Sequence, residues 1–290
     1  PASAKLAYVE TGQDLNIWRL QLPSPGGKPQ WSRLIASAGV NAAPQYSPDG
    51  TRICFLSDRT GQEQIWVANS DGTRLRQLTR GRMLPGHCSW SPDGSDVLFV
   101  AHEPGLGSTI FSVPAAGGNP VRVPIQGGGS LPVAAPDGRT LYIAKMVGNR
   151  FQLLSASLVN GQTSQVTRQG AHRARLSRDG RWIYYVQSRA SSVIRRIRPD
   201  GSDDQFVFDG LIPGYFGAWA LGSDGVYFLS EDRQTQRATV SFAQEGVPAP
   251  RRIASFPTPL APLGLVEFSL SPDQKTLLTV LCEGHSSDVM

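Results

Sequence analysis

Short segments of alternating or wholly apolar residues recur along the chain, and polar turns separate them. In residues 43–80 the pattern predicts four strands, namely Ala43–Ser47, Arg52–Ser57, Gln64–Asn69 and Arg74–Arg80. The breaks Pro48-Asp49-Gly50 and Ser70-Asp71-Gly72 suit tight turns, because Pro presets φ, Asp bonds nearby backbone and Gly accepts positive φ. This segment is therefore predicted to form a four-stranded antiparallel meander.

The same pattern repeats along the chain. The Asp-Gly turn recurs at intervals of 42 to 49 residues, at Asp49, Asp93, Asp137, Asp179 and Asp224, with Asp273 as a degenerate copy. That spacing is the length of one blade of a β-propeller. Because a lone meander buries too little apolar surface, the copies are expected to stack around a common axis.

The number of blades depends on the two ends of the chain. At the start, Lys5–Val9, Leu15–Leu22 and Trp31–Ser37 are predicted as the second, third and fourth strands of a blade. At the end, Val266–Ser271 and Thr276–Cys282 are predicted to begin a seventh blade, whose third strand opens at Asp288–Met290.

We therefore expect an all-β protein, a seven-bladed β-propeller of four-stranded antiparallel blades. Residues 1–290 would form one domain, a fragment of a longer chain that lacks the first strand of blade one and the end of the last blade. The runner-up is a six-bladed ring in which Val266–Ser271 completes blade one.

Several motifs carry a family resemblance. They are Ser47-Pro48-Asp49-Gly50, Ser91-Pro92-Asp93-Gly94, Ser271-Pro272-Asp273, Ile65-Trp66 and Leu78-Thr79. Together they resemble the TolB-type, WD-like propeller repeat of bacteria across essentially the whole chain. Residues 6–23, 214–231 and 286–290 are more narrowly similar to the C-terminal propellers of CadC-like winged-helix transcriptional regulators or of bacterial serine/threonine kinases. The resemblance implies a sensory or interaction domain, with any DNA-binding domain separate and upstream.

Charge and composition indicate which classes of partner this domain is expected to contact. The formal net charge is +5, but the arginines are spread through every predicted blade, so we expect a solvated surface and no direct contact of this domain with nucleic acid. No run of eighteen apolar residues occurs, so no membrane insertion is expected in this segment. Cys54, Cys88 and Cys282 lie in predicted strands and are expected to be buried thiols. Cytoplasm and periplasm both remain open as compartments.

Propeller topology sorts the loops onto two faces. The loops between second and third strands, and those between consecutive blades, share one face, which we call the mouth face. The Asp-Gly turns belong to the opposite face. All four histidines, His87, His102, His172 and His285, fall in or beside predicted mouth-face loops. A metal or proton-transfer site is one interpretation; the other, which we favour, is that polar residues belong in loops.

The mouth face is also predicted to collect basic and aromatic side chains suited to a protein or small-molecule ligand. The predicted ligand-binding residues are Arg59, Arg82, His87, His172, Arg173, Tyr215 and Trp219. For Arg59 a second interpretation is open, since the repeated Asp58-Arg59 and Asp232-Arg233 pairs could brace loops through ion pairs between blades.

Catalytic motifs are missing from the sequence, including G-x-S-x-G, H-E-x-x-H and the phosphate-binding glycine loop. Glu103, Glu231, Asp232 and Glu283 are predicted on the mouth side, where solvation is their expected role. We therefore expect a non-catalytic recognition module without a cofactor. The alternatives are a propeller enzyme, sugar-active or peptidase-associated, and a periplasmic TolB-like scaffold.

Overall fold

The computed structural model describes residues 13–284 except 25–26, 82, 104–106, 232–236, 258–259 and 263. The strands of these residues form six four-stranded antiparallel sheets, each one blade of a propeller. Blade two contains β3 (Asn41–Tyr46), β4 (Arg52–Ser57), β5 (Gln64–Asn69) and β6 (Arg76–Gln77). This is the meander that the sequence predicts, with its outer strand shortened to two residues.

The next four blades continue in chain order. Blade three contains β7 (Pro85–Trp90), β8 (Asp96–Glu103), β9 (Gly107–Pro114) and β10 (Val121–Arg122). Blade four contains β11 (Ser130–Ala134), β12 (Thr140–Val147), β13 (Arg150–Ser157) and β14 (Thr163–Gln165). Blade five contains β15 (Ala174–Leu176), β16 (Ile183–Val186), β17 (Val193–Ile197) and β18 (Gln205–Asp209). Blade six contains β19 (Trp219–Leu221), β20 (Gly225–Glu231), β21 (Ala238–Gln244) and β22 (Arg251–Ser255).

Blade one joins both ends of the chain, and it shows that the prediction of seven blades is wrong. Its strand order is β2 (Gln30–Ile35), β1 (Gln13–Gln21), β24 (Thr276–Gly284) and β23 (Ser269–Leu270). β24 pairs with β1 in a continuous register from Gln13↔Gly284 to Gln21↔Thr276. The last strands therefore complete the first blade, and the six-bladed runner-up is correct.

The physical reason lies in the second-strand position of blade one. That place was predicted for Lys5–Val9, which lies outside the described residues, as does Asp288–Met290. β24 fills it instead, so Thr276–Cys282 has a natural place in a ring of six. A ring closed in this way leaves neither β1 nor β24 as an unpaired edge.

The core lies between the blades. Between blades two and three, for example, Cys54 and Val67 pack in one cluster with Val97 and Phe99, all of them buried. The three cysteines are buried free thiols, as predicted. In the described part of the chain, no helix is both long and apolar enough to cross a membrane.

Candidate ligand-binding site at the axis of the propeller

The first strands of the blades line the axis, and bulges in three of them shape it. The register of β7 shifts between Pro85 and Cys88, so one extra residue is accommodated near His87. β3 has the same shift between Ala42 and Gln45, and β11 has one between Ser130 and Val133. Because a bulge changes the direction of neighbouring side chains, it is the local device that places His87 and Gln45 at the axis.

A buried carboxylate lies at the centre of this region. Arg173 Nη2 donates to Glu267 Oε2 at 2.6 Å, and Gln45 Nε2 donates to the same oxygen at 3.2 Å. His87 Nε2 lies 2.7 Å from Glu267 Oε1. The Glu267 side chain is only 1% exposed, whereas that of His87 is 33% exposed. We call Glu267, Arg173, His87 and Arg175 the axial cluster.

The charges of the cluster decide the ionisation of Glu267. Burial alone would raise its pKa, but the positive charge of Arg173 and then of His87 lowers it more, to about 2. Glu267 is therefore a carboxylate at neutral pH.

Arg175 completes the cluster from β15. Its Nη2 donates to Phe268 O at 2.7 Å and to Gly217 O at 3.3 Å, and its guanidinium stacks 5.1 Å from the ring centroid of Trp219. Burial, followed by the like charge of Arg173, lowers the pKa of Arg175 to about 9. A Cβ at Gly217 would lie 3.1 Å from Glu267 Cγ, so glycine there provides space for the carboxylate.

His172 lies beside the cluster in an aromatic cage. Its ring makes edge contacts with Phe151 and Phe216 at centroid distances of 5.1 and 4.6 Å. Its Nε2 accepts a hydrogen bond from Nε of the exposed Arg189 at 3.1 Å. Burial, then the positive charge of Arg189, lowers the pKa of His172 to about 4, so the imidazole is neutral at pH 7.

The remaining predicted ligand-binding residues do not all lie at the axis. Trp219 is fully buried and donates to Phe216 O, so it supports the site from within the core. Tyr215 is partly buried at the mouth face, where its hydroxyl donates to Ala261 O at 3.4 Å. The structure thus brings His87, His172, Arg173 and Trp219 together around the axis, while Arg82 lies outside the described residues.

Arg59 lies apart from the axial cluster. Its guanidinium donates to Asn41 Oδ1 at 2.7 Å and to Ser57 Oγ at 3.0 Å, and it stacks over Phe55 and Trp66. All of these partners belong to blade two or to its own loop. The brace is therefore made within one blade, through neutral oxygens and aromatic rings.

Sequence reasoning missed the central residue, Glu267, and its neighbour Arg175. The acids predicted on the mouth side include Glu283, which accepts hydrogen bonds from Trp18 and Arg33 within blade one. The sequence feature that could have identified Glu267 is a single charged residue within an apolar predicted first strand, as in Leu265-Val266-Glu267-Phe268. In the described residues, no group of three or more His, Cys, Asp or Glu side chains could hold a metal ion.

Two cavities adjoin the axis. The axial channel has a volume of about 370 Å³ and is lined from the first strands of all six blades. A larger cleft of about 1560 Å³ lies between blades five and six, and the turns at Asp179 and Asp224 place it toward the opposite face. Leu176 and Leu221 line both cavities, so the two adjoin.

Comparison with known families and sequences gives partial matches. The family model described as TolB beta propeller domain matches residues 1–212. The chain is 40% identical over 72 residues to an uncharacterized protein of Agrobacterium fabrum and 29% identical over 106 residues to an uncharacterized peptidase of Bacillus subtilis. It is 37% identical over 54 residues to the Tol-Pal system protein TolB of Bordetella pertussis. These segments cover 25%, 34% and 19% of this chain, and 25%, 16% and 12% of the three relatives. The chain thus spans a quarter or less of the curated relatives it matches.

Solved structures agree on the fold. A putative TolB from Agrobacterium tumefaciens superposes with a TM-score of 0.73 at 19% identity, covering 94% of this chain and 100% of that one. TolB from Acinetobacter baumannii gives 0.63 at 17% identity, covering 93% and 64%. An oligogalacturonate lyase from Vibrio parahaemolyticus gives 0.55 at 11% identity, covering 93% and 98%. At these identities the likeness is one of fold.

Proposed function

Because this chain belongs to the TolB β-propeller family, we propose that it is a non-catalytic recognition module that binds a segment of a partner protein at its mouth face. A small ligand is the alternative occupant of the same site. The proposal rests on the chemistry of the axis, since fold by itself does not specify function.

The observation that carries the proposal is a group of basic side chains near the axis, on the side of the mouth face. Arg173, Arg175 and the exposed Arg189 lie around the axis, and His87 is partly exposed there. Among the described residues, Glu267 is the only acidic side chain within ion-pairing distance of Arg173 and His87. A partner with acidic side chains would therefore complement this face.

The ionisation of the axial groups favours binding over acid–base catalysis. General acid–base catalysis works best with groups whose pKa lies near the working pH. Glu267, with a pKa of about 2, and His172, with a pKa of about 4, are both far from neutrality. They are suited to fixed structural and electrostatic roles.

The role of the whole protein is a finer proposal. The resemblance of residues 6–23 and 214–231 to regulator and kinase propellers supports a sensory domain of a larger signalling protein. The match to Bordetella TolB and the two TolB structures favours a TolB-like scaffold. Both roles need a bound partner, so peptide selection tests their common element.

Peptide selection tests the proposal directly. A random peptide library displayed on phage would be selected on the immobilised protein, and enriched peptides would be measured by fluorescence anisotropy. We expect enriched peptides to be acidic and Arg189→Glu to weaken their binding by about tenfold or more. Arg178→Glu is the matched control, because Arg178 is also exposed but lies in the Asp179 turn of the opposite face.

Three results would count against the proposal. Loss of binding in Arg178→Glu but not in Arg189→Glu would place the contact on the opposite face, and equal loss in both would show a charge effect that is not specific to the mouth face. Turnover of glycoside, uronide or peptide substrates by the purified protein, abolished by His87→Ala, would support an enzyme instead.

A further inference from the structure

The charge on the wall of the axial channel is not balanced. Three of its lining side chains are basic: His87, Arg173 and Arg175. No Asp or Glu among the described residues lines the channel, because Glu267 contacts Arg173 and His87 without lining it. The two guanidinium groups carry two positive charges against the single negative charge of Glu267. Between these three groups, one positive charge is left over.

The channel wall also contains hydrogen-bond donors without partners. Nε of Arg173, Nε of Arg175 and Oγ of Ser89 are buried and have no hydrogen-bond partner among the described residues. Arg173 is only 7% exposed. Buried polar groups nearly always have a partner, so these donors indicate a bound group.

Space and access allow such a group to enter. The channel volume of about 370 Å³ corresponds to about a dozen water molecules at about 30 Å³ each. His87, at 33% exposure, connects the cluster to solvent.

We propose that the axial channel contains an anion site that binds one carboxylate group through Arg173, Arg175 and the hydroxyl of Ser89. A single carboxylate balances the charge that the two guanidinium groups have in excess of Glu267, whereas a doubly charged phosphate exceeds it. Guanidinium groups match the planar geometry of a carboxylate, and hydrogen bonds between charged groups are the strong ones.

The carboxylate has two chemical sources. It can be a free small carboxylate, or an Asp or Glu side chain of an inserted protein segment. The second source rests on the function proposed above, whereas the first does not. Both use the same donors, so the experiment separates the sources with different probes.

The test is calorimetric titration with acetate, inorganic phosphate, a short acetylated peptide containing one Glu, and the same peptide with Gln. Sodium chloride keeps the ionic strength constant, since exposed charges are screened by salt. We expect saturable binding of acetate to the wild-type protein. Preference for the Glu peptide over both acetate and the Gln peptide would identify an inserted side chain. Acetate binding without that preference would identify a free carboxylate.

Two variants should shift acetate affinity in opposite directions. Ser89→Ala removes one donor to a charged acceptor and should weaken acetate binding about tenfold. Glu267→Gln removes the carboxylate that competes for Arg173 and should strengthen it about tenfold. A merely structural role would not produce opposite signs. Arg178→Gln, on the opposite face, should leave the affinity unchanged.

Ser89→Ala should leave the fold intact, because it deletes a buried hydroxyl that has no hydrogen-bond partner among the described residues. A change in its acetate affinity can therefore be assigned to the site and not to misfolding. The site is overturned if acetate does not bind, or if Ser89→Ala binds it as the wild type does. If acetate does not bind while Arg189→Glu still weakens the binding of selected peptides, the anion site is contradicted. The proposed function is then still supported.

Discussion

The buried carboxylate of Glu267 connects four blades. It lies just before β23 of blade one and contacts Gln45 of blade two, His87 of blade three and Arg173 of blade five. Removing one partner of a buried ion pair leaves an uncompensated charge, which typically costs about 3–5 kcal/mol. The arrangement therefore fixes the blades around the axis and places Arg173 beside the channel.

Only part of this arrangement could be predicted from the sequence. His87 and Arg173 were placed on the mouth face because they come just before or at the start of a first strand. Glu267 was missed because its hydrogen-bonding and charged partners come from blades two, three and five, more than ninety residues away. No local pattern contains that information, although a lone acid in an apolar strand signals that a partner must exist.

His172 gives a prediction for the dependence of stability on pH. Its pKa falls from 6.5 to about 4 on folding, so between these values the unfolded chain binds a proton that the folded protein excludes. The free energy of unfolding should therefore decrease as the pH falls from 6.5 to 4, by on the order of 3 kcal/mol from this group. His172→Phe should remove this contribution while keeping a ring between Phe151 and Phe216. Urea unfolding at pH 7 and pH 4 measures it.

A packing control accompanies the His172 prediction. Phe151→Leu disturbs the same cage without removing the titrating group, so it should lower stability and keep the wild-type pH dependence. If His172→Phe and the wild type lost equal stability between pH 7 and pH 4, the account of His172 would be contradicted.

At the level of the strand and turn, the repeated Ser-x-Asp-Gly motif makes one hydrogen-bonded unit. Ser47 Oγ donates to Asp49 Oδ1 at 2.5 Å and accepts from Arg52 N at 3.0 Å, while Thr51 N donates to the same Asp49 oxygen. These bonds, the one from Ser47 foremost, lower the pKa of Asp49 to about 2. Gly50 follows with φ of 72°, a value that favours glycine.

Deleting the hydroxyl of this turn should destabilise the blade. Ser47 is fully buried, so Ser47→Ala leaves polar groups of the turn without a partner and should lower the free energy of unfolding by about 1–3 kcal/mol. Ser70→Ala, in the turn between β5 and β6 of the same blade, is the matched control and should change it by about 0.5 kcal/mol or less. Urea unfolding of both variants checks the difference. Equal effects would show that the Ser47 hydrogen bonds contribute nothing specific.

The turn motif also explains why the strands were predictable and the blade count was not. Each meander depends on residues within about ten positions, so its strands follow from local pattern. Blade one instead depends on pairing across the whole chain, from Leu15↔Cys282 to Leu20↔Leu277. Lys5–Val9 and Thr276–Cys282 have similar apolar patterns, and choosing between them requires knowledge of how the ring closes.

Across the whole molecule, the two faces differ in chemistry. The opposite face consists of turns whose Asp side chains are bonded internally, as at Asp93 and Asp179. The mouth face has Arg189 and Tyr215, whereas the lining of the axial channel extends along the first strands to Pro48 of the opposite face. Residues of the cleft between blades five and six provide a second concave surface, which any test of binding must distinguish from the mouth face.

The most direct test is backbone amide hydrogen exchange with and without a selected acidic peptide. We predict slower exchange at residues 188–192 and 211–218, which surround Arg189 and Tyr215, and at β7 around His87. The turns at Asp49, Asp93 and Asp179 should be unchanged. Protection confined to those turns, or to residues 222–226 and 244–248 of the cleft, would contradict recognition at the mouth face.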